Sequence, residues 1–352
     1  MEQLAVEQAA SKQLVSHVVW DSQLFLYKDN YPEDVPSSLR VKFIEPFRFP
    51  VFGSLAGKFR LRCVVYKWLK ENSNDYDFVL LRYTTADPML CLVAKRIPNV
   101  LTVHHTKEEE ELNLLPFPKG VIKSMVEWLF SRYVLKRVKG VVAVTSELAR
   151  YEQKRIGRNI PTFLYPNGVI LNFEANPDDY RGGCLKLVFV ADSAKPWHGL
   201  DLLLERVNVE TDFELHIVGE LGLSIRSYNN NPNIIIHGKL SNQDLNIVLA
   251  HMDVGISSMG LFRKKMTEAC PLKSRRYLLQ GLAVYGHYVD PCFNENFPFY
   301  RNGGANFQEI RKFGLEMRNY SRADITGRAL PYIEKGQLMA NLANELACLN
   351  QV

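Results

Sequence analysis

Short apolar runs rich in β-branched residues alternate with amphipathic segments through the second half of the chain, and this alternation constrains the fold most. The runs predict strands at 184–192, 213–220, 233–240, 252–259 and 282–289. The segments between them have helical spacing at 199–207, 241–252 and 271–281. Ser241 and Asp244 fit an S-x-x-D capping box at one helix start. Alternating strands and helices are typical of a parallel sheet covered on both faces, so this half is predicted to be a Rossmann-like α/β domain.

The first half repeats the alternation less regularly. Predicted strands lie at 38–46, 77–83, 99–105, 140–146 and 162–168. Predicted helices lie at 55–71, 87–96, 118–138 and 147–156. Residues 1–20 show neither a buried strand nor a glycine-containing turn, with which such a domain usually opens. We therefore expect the first strand to be missing or divergent.

The chain of 352 residues is long for one core and suits two domains. Residues 173–183 are rich in Asn, Pro, Asp and Gly, which predicts a linker. The expected organisation is an N-terminal domain over 1–172 and a C-terminal domain over 184–335. Residues 336–352 are expected to form a final helix that packs on the first domain.

Composition narrows the class of protein. Hydrophobic residues make up 47% and charged residues 23%, which excludes disordered and fibrous classes. The longest apolar runs fall short of the roughly 20 residues of a membrane span, and the N-terminus lacks the apolar core of a signal peptide. Six cysteines without CxxC spacing argue against a metal cluster and favour a reducing cytoplasm. A net charge of +5 is small for a non-specific nucleic-acid binder, so we expect no nucleic-acid partner.

Nucleotide-binding signatures of the common kinds are absent from the sequence. There is no G-x-G-x-x-G after a predicted strand and no G-x-x-x-x-G-K-[ST]. The fragment LAGKFR holds a Gly-Lys pair without the rest of a phosphate-binding loop. A dehydrogenase or an NTPase is therefore disfavoured.

The stretch TEACPLKSRRYLLQG, residues 267–281, is the strongest candidate for a binding site. Pro271 is predicted to begin a helix whose free N–H groups and dipole attract phosphate. Lys273 adds a charge in the first turn, and Glu268 could accept hydrogen bonds from sugar hydroxyls. By itself, the stretch is explained equally well as a solvated basic helix beside an incidental glutamate.

Together with its flanks, this stretch resembles the donor-site motif of GT-B-fold, family 4-like glycosyltransferases, especially those that build bacterial surface polysaccharides. That family carries two glutamates separated by seven residues, before a helix that ends in glycine. Glu268 matches the first glutamate, which contacts the donor sugar, and Cys270, Pro271 and Leu272 match the loop that faces the diphosphate. Arg276 replaces the second glutamate, which accepts hydrogen bonds from ribose, and arginine has no acceptor. The departure indicates a phosphate contact, an altered donor or lost activity.

The resemblance extends over about residues 80–290 in all, and it includes further residues on the donor side. His198 and Gly199 match a basic residue and glycine that meet the donor phosphates, with Lys195 as a second cation. His198 alone would more simply be structural. Three further residues match the strand ends that line the base and ribose pocket: Gly219, His237 and Gly238.

On the acceptor side, His104 matches a histidine that faces the reacting sugar, and His105 is the runner-up. Alternation along a strand puts the two side chains on opposite faces, so only one can point into the cleft. A hydrogen-bonded histidine at a strand end is the structural alternative. Asn167 matches a turn near the cleft. The four glutamates 108–111 are interpreted as a solvated helix start.

The resemblance implies a GT-B architecture, with two Rossmann-like domains whose parallel sheets face each other across a cleft. It implies a retaining glycosyltransferase that moves a sugar from a nucleotide-diphosphate sugar to a saccharide or lipid-linked saccharide acceptor. We expect neither a cofactor nor a metal ion, because no DxD-type acidic pair stands at a predicted strand end.

Residues 119–140 form a basic amphipathic segment that suits an anionic membrane surface. This predicts a cytoplasmic protein that sits peripherally on the inner face of the membrane, although a core helix with a basic face explains the same pattern. Other functions stay open. Arg276 allows a non-catalytic sugar-nucleotide binder, the basic segment allows a polyanion binder, and the fold also carries sugar-nucleotide epimerases.

Overall fold

The computed structural model describes residues 2–14, 18–27, 40–44, 53–157, 159–170, 182–193, 195–207, 212–220 and 230–349. The chain divides into two compact units, Met1–Pro166 with Lys335–Val352, and Asn167–Glu334. Each unit contains a parallel sheet with helices, which confirms the α/β class. Residues 173–181 of the predicted linker lie outside the described part of the chain.

The first unit is built around a four-stranded parallel sheet in the order β3-β4-β5-β6, with a separate parallel pair β1-β2. Its elements up to residue 164 are α1 (Glu2–Ala10), β1 (Gln23–Tyr27), β2 (Arg40–Ile44), α2 (Gly53–Asn72), β3 (Val79–Arg82), α3 (Pro88–Arg96), β4 (Val100–His104), α4 (Glu108–Asn113), α5 (Lys119–Leu135), β5 (Gly140–Ala143), α6 (Ser146–Ile156) and β6 (Thr162–Leu164). Strand β5 is buried along its whole length, as expected for an inner strand of a parallel sheet. Sequence analysis did not predict α1 or β1.

Local signals set the helix ends in this unit. The Thr145 side chain caps α6 by accepting a hydrogen bond from the N–H of Leu148, and Gly157 ends the helix in the left-handed conformation. Asp87 caps α3 in the same way through the N–H of Met89. These caps place the following buried faces of both helices on the sheet.

The second unit contains a six-stranded parallel sheet in the order β12-β11-β10-β7-β8-β9. Its elements are β7 (Leu185–Ser193), α7 (Leu200–Leu204), β8 (Phe213–Glu220), β9 (Ile234–Gly238), α8 (Asn242–Ala250), β10 (Val254–Ile256), α9 (Leu272–Leu279), β11 (Ala283–Gly286), β12 (Tyr300–Asn302), α10 (Phe307–Met317) and α11 (Arg322–Ile333). The central run Leu187, Val188 and Phe189 is fully buried, as expected for an inner parallel strand. Sequence analysis did not predict β12, α10 or α11.

The chain then returns to the first unit with α12 (Lys335–Leu349), which contacts α1. The two ends of the second unit are paired with each other. Val169 forms a parallel bridge with Glu334, and its N–H donates to the carbonyl of Ile333 at 2.9 Å. None of the helices in the described ranges combines the length and apolar character that crossing a membrane requires.

Candidate functional site

The second unit has its topological switch point between β7 and β10. The chain runs from β7 outward through β8 and β9, then returns to β10 on the other side of β7 and continues outward to β11 and β12. Ligands of open α/β sheets bind outside the carboxyl ends of the strands at such a point. The segment after β7 carries Lys195 and His198, and the segment after β10 carries Glu268 and α9. The topology therefore brings most of the predicted donor residues to one sheet edge.

Helix α9 is fixed at this edge by buried polar contacts. The hydroxyls of Ser257, Ser274 and Tyr288 form a closed set of hydrogen bonds, each 2.8 Å long. The Tyr277 hydroxyl accepts a hydrogen bond from the N–H of Val190 in β7 at 2.9 Å. Pro271 is the N-cap with extended backbone, so the helix begins at Leu272 and the prediction of Pro271 as its first residue is wrong by one position.

Lys273 stands in the first turn of α9 with its charge almost enclosed. Its Nζ is buried and, among the described residues, has no hydrogen-bond partner. The ammonium lies 4.1 Å from the ring centroid of Phe189, in β7. Burial lowers the pKa of Lys273 to about 7. A buried lysine without an acceptor is costly unless an anion joins it, so this side chain points to an anionic ligand.

Glu268 lies on the loop that leads to α9 and is partly exposed. It forms a parallel bridge with Val289, and the flanking residues hold it there: Ala269 donates to Val289, and Val289 donates to Thr267. The loops after β10 and β11 therefore run side by side. Glu268 is therefore held on this loop three residues before the N-cap Pro271.

The segment after β7 packs on the loop after β10. The N–H of Met259 donates to the carbonyl of His198 at 2.9 Å, and Arg263 donates to the carbonyl of Pro196 at 2.7 Å. Gly199 adopts a left-handed conformation, and a Cβ there would overlap the backbone of Gly260. His198 is partly exposed and Lys195 is exposed. The predicted basic pair thus lies on a turn held against the neighbouring loop.

The guanidinium of Arg276 lies against α8, and a phosphate contact stays one of the three predictions made for this residue. Its guanidinium donates to the side chains of Asn242 and Asn246, both at 2.8 Å, and to the carbonyl of Asn242 at 3.0 Å. These bonds join α9 to α8. Arginine therefore performs a packing role where the resembling family has a ribose-binding carboxylate.

The three residues predicted for the nucleotide pocket have different settings. Gly219 lies near the end of β8, where a Cβ would overlap the carbonyl oxygen of Ala191, so only glycine fits. Gly238 ends β9 in open space. His237 is hydrogen-bonded to His216 at 3.0 Å, and burial lowers the pKa of both histidines. His237 is therefore held in position by its hydrogen bond to His216.

Asn167 belongs to the second unit, which corrects its assignment to the acceptor side. Its side-chain amide donates to the carbonyl of Cys270 at 2.7 Å. Its own carbonyl accepts from Nε of Arg275 at 3.1 Å. Asn167 thus supports the loop that precedes α9.

His104, the preferred acceptor residue, is fully buried in the first unit, so the prediction that it faces a sugar is wrong. Its Nδ1 lies 3.0 Å from Glu108, and its Nε2 lies 3.1 Å from Thr102. Burial lowers its pKa, but the carboxylates of Glu152 and Glu108 outweigh burial and raise it. Tyr83 stacks on the ring with 4.5 Å between centroids. Both ring nitrogens are therefore occupied by the protein.

His104 is part of a buried charged cluster, which we call the Arg155 cluster. Arg155 lies 2.9 Å from Glu152, 3.1 Å from Glu109 and Glu127, and 3.6 Å from Glu108. Sequence analysis missed this cluster and wrongly placed Glu108 on a solvated helix start, whereas its side chain is buried. The available signal was Glu127, the single acid in the basic segment 119–140.

His105, the runner-up, lies just beyond β4 and is partly exposed. Burial, together with the positive charges of Arg82, Lys335 and His104, lowers its pKa to about 3. The ring is therefore neutral at pH 7 and able to accept or donate one hydrogen bond. Of the two histidines, only His105 remains available to an acceptor.

Helix α5 exposes an apolar stripe within the basic segment. The side chains of Val121, Ile122, Met125, Trp128 and Leu129 are each at least 48% exposed. Lys119, Lys123 and Lys136 flank them and are exposed as well. The expectation of a core helix with a basic face therefore does not describe this stripe.

Two groups of side chains have the spacing of metal ligands. They are His104 with Glu108 and Glu152, and Cys270 with Asp290 and Cys292. Arg155 lies among the first group and Arg275 among the second, so a guanidinium already supplies the positive charge in each. We assign neither as a metal site.

Comparisons with known proteins agree with the resemblance in sequence. Residues 20–173 match the model of Glycosyltransferase Family 4. No curated protein sequence matches the chain. The sequence motif around Glu268 lies outside the matched segment.

Solved structures share the fold at low sequence identity. Sucrose-phosphate synthase from Thermosynechococcus elongatus has a TM-score of 0.65 and 14% identity, over 98% of this chain and 92% of that chain. HepE of Anabaena, solved with UDP, has a TM-score of 0.58 and 15% identity, over 88% and 87%. UDP-GlcNAc 2-epimerase from Neisseria meningitidis, bound to UDP-GlcNAc, has a TM-score of 0.53 and 12% identity, over 99% and 97%. The chain has the GT-B fold, which confirms the predicted fold class.

Proposed function

We propose, from the GT-B fold and the family match over residues 20–173, that this protein transfers a glycosyl group from a nucleotide-diphosphate sugar to an acceptor hydroxyl. The observation that carries the proposal is the buried Nζ of Lys273, which lacks a hydrogen-bond partner among the described residues at the switch point of the sheet. The diphosphate groups of nucleotides bind at such points in other open α/β sheets, which supports a diphosphate as the anion. It would lie over the start of α9, where backbone N–H groups are unpaired.

The donor-side residues divide the work by their chemistry. Lys273 and the N–H groups at the start of α9 stabilise the leaving diphosphate, and His198 and Lys195 add charge from the segment after β7. Glu268 accepts hydrogen bonds from the hydroxyls of the transferred sugar. Fixed charges of this kind stabilise a leaving group without reorganising, so we propose that transfer needs no metal ion. Retention of the anomeric configuration is proposed on the resemblance of residues 267–284 alone.

The acceptor is proposed to be a saccharide or a lipid-linked saccharide of surface polysaccharide or glycolipid synthesis. His105 is the acceptor-side candidate, because the ring nitrogens of His104 are occupied.

The stripe on α5 supports attachment to anionic lipid at the cytoplasmic face of a membrane, since exposed apolar side chains with flanking lysines bind such surfaces. Ile122→Glu and Met125→Glu should each reduce co-sedimentation with anionic vesicles. Leu315→Glu on α10 is the control, and equal binding by all variants would refute the attachment.

Nucleotide binding provides the first test. The purified protein is titrated calorimetrically with UDP, GDP, ADP, CMP and dTDP, with and without EDTA. We expect one nucleotide to bind equally in both conditions. Lys273→Met should weaken that binding about 10- to 150-fold, the loss of one hydrogen bond to a charged group. Lys312→Met, which changes an exposed lysine on α10, should leave it unchanged.

Glu268→Ala separates binding from transfer. The variant should keep most of its affinity for the nucleotide, because Glu268 is assigned to the sugar, and should lose transfer with little change in stability. Nucleotide binding that Lys273→Met leaves intact would sink the proposed site. Binding without transfer from any donor would favour the non-catalytic alternative, and release of an epimerised sugar would favour an epimerase.

A further inference from the structure

Two cysteine side chains meet in the second unit, one on the loop before α9 and one in the turn after β11. The sulfur atoms of Cys270 and Cys292 lie 4.0 Å apart, and both are free thiols. Cys270 is buried, whereas Cys292 is partly exposed. A disulfide needs the sulfurs at about 2.05 Å, so bond formation requires an approach of about 2 Å.

Arg275 brings a positive charge to both sulfurs. Its Nη2 lies 2.6 Å from Sγ of Cys270 and 3.0 Å from Sγ of Cys292. Asp290 holds the guanidinium with two hydrogen bonds of 2.5 and 2.8 Å. A cation at this distance stabilises a thiolate. The two hydrogen bonds to Asp290 are enough to hold Arg275 in place. The contact of both thiols with the same nitrogen is therefore not needed for that purpose.

The two thiols have opposite characters. The hydrogen bond from Cys270 and the charge of Arg275 lower the pKa of Cys292, although burial opposes them. Burial raises the pKa of Cys270. The accessible thiol with the greater thiolate fraction attacks an oxidant, and a neighbouring thiol can then resolve the product. Cys292 fits the first role, and Cys270 fits the second.

We propose that Cys270 and Cys292 form a redox-responsive pair, which a small disulfide such as oxidised glutathione converts to an intramolecular disulfide. The Cys292 thiolate attacks one glutathione sulfur, the S–S bond breaks, and one glutathione thiolate leaves. The Cys270 sulfur then displaces the second glutathione from Cys292, and the proton of Cys270 leaves with it. Two protein thiols are oxidised, and one glutathione disulfide is reduced to two thiols.

The disulfide acts on the start of α9. Cys270 directly precedes the N-cap Pro271, and its carbonyl is bonded to Asn167. Drawing the two sulfurs together displaces the chain between Glu268 and Lys273 and removes the sulfur contacts of Arg275, itself a residue of α9. We infer that oxidation weakens donor binding. This consequence rests on the proposed function, whereas formation of the disulfide does not.

Mass spectrometry of the full chain tests the pair directly. After incubation in glutathione buffers of increasing oxidation, remaining thiols are alkylated and the peptides mapped. We expect a bond between the peptides of Cys270 and Cys292, and alkylation of Cys292 at low pH faster than that of the exposed Cys348. Cys292→Ser should leave Cys270 reduced. Stable glutathione adducts without the internal bond, or no reaction at Cys292, would overturn the pair.

Two readouts then test the effect on the site. Hydrogen exchange of the hydrogen-bonded amides of residues 275–279 in α9 should quicken on oxidation in the wild type and stay unchanged in Cys292→Ser. UDP affinity, if UDP binds the reduced protein, should fall about tenfold, within the usual range of coupling between sites. Unchanged exchange and affinity in the oxidised protein would refute the regulatory role. If UDP does not bind, exchange alone decides, so a failure of the proposed function is distinguished from a failure of the pair.

Discussion

Arg155 in the first unit and Lys273 in the second both have buried cationic groups, and the two cations differ in what surrounds them. Arg155 in the first unit lies within 3.6 Å of four glutamates. Lys273 in the second unit lies against the ring of Phe189, and within the described ranges its Nζ has no hydrogen-bond acceptor. A charge that the protein compensates itself stabilises the fold, whereas an uncompensated one leaves a position for an external anion. The comparison distinguishes a structural cluster from the proposed binding site, although both contain buried charge.

Removing the compensated cation should have the largest effect on stability. Arg155→Met leaves the buried carboxylates of Glu127 and Glu152 without their cation, and breaking one side of such a cluster costs about 3–5 kcal/mol. Urea unfolding measures the change in the free energy of unfolding. Arg150→Met, an exposed arginine on the same helix, is the matched control. Equal stability of the two variants would refute the structural role of Arg155.

Removing the uncompensated cation, Lys273, should raise the free energy of unfolding rather than lower it. The pKa of Lys273 is lowered to about 7 in the folded protein, below the ordinary lysine value of 10.5. The unfolded chain therefore binds more protons between these values, so folding stability due to this group rises as pH increases from 7 to 10.5. Lys273→Met should be more stable than the wild type at pH 6.5, by about 1–3 kcal/mol, the cost of an unsatisfied buried donor.

The difference in stability between Lys273→Met and the wild type should be smaller at pH 9, where Lys273 of the folded wild type is mostly neutral. Urea midpoints at both pH values measure it, and other titrating groups cancel because both proteins share them. Lys312→Met should match the wild type throughout. A Lys273→Met protein that is less stable at pH 6.5 would show that the ammonium already has a structural partner.

The smallest effect is a proton exchanged on binding. At pH 8 the free Lys273 is mostly neutral, and a bound diphosphate favours its charged form, so binding should take up a fraction of one proton. Calorimetry of nucleotide binding in HEPES and in Tris, which differ in ionisation enthalpy, would reveal this uptake as a buffer-dependent enthalpy. The dependence should be absent in Lys273→Met. A binding enthalpy of the wild type that does not depend on the buffer would show that Lys273 does not contact the bound phosphate.

The sheets of both units could be predicted from the sequence because their inner strands are continuous β-branched runs. The strand predicted at 213–220 has those bounds in the structure, and the helix predicted at 55–71 extends over Gly53–Asn72. The edge strand β12 was not predicted. Strand β12 has three residues, none of them buried, so it lacks the apolar signal that marks the inner strands.

The candidate site was predictable where local sequence carries it and not where distant residues meet. The stretch 267–281 showed a helix start with a glutamate before it and a lysine in its first turn. Sequence spacing could not show that Arg276 would bond to α8, or that His104 would be enclosed by Glu108 and Glu152. Cys292 lies 22 residues after Cys270 in sequence, and only the adjacent loops after β10 and β11 bring the sulfurs together.

Because of the bridge between Val169 and Glu334, the second unit is inserted into the chain with its two ends adjacent. Both of its junctions with the rest of the chain lie beside each other, and one hydrogen bond from Val169 to Ile333 fastens them. A segment whose two ends lie side by side can be replaced as one piece, because neither connection to the rest of the chain has to be lengthened. Recombination at these two points would transfer the whole second unit, and a laboratory graft of residues 167–334 has its boundaries set by the same hydrogen bond.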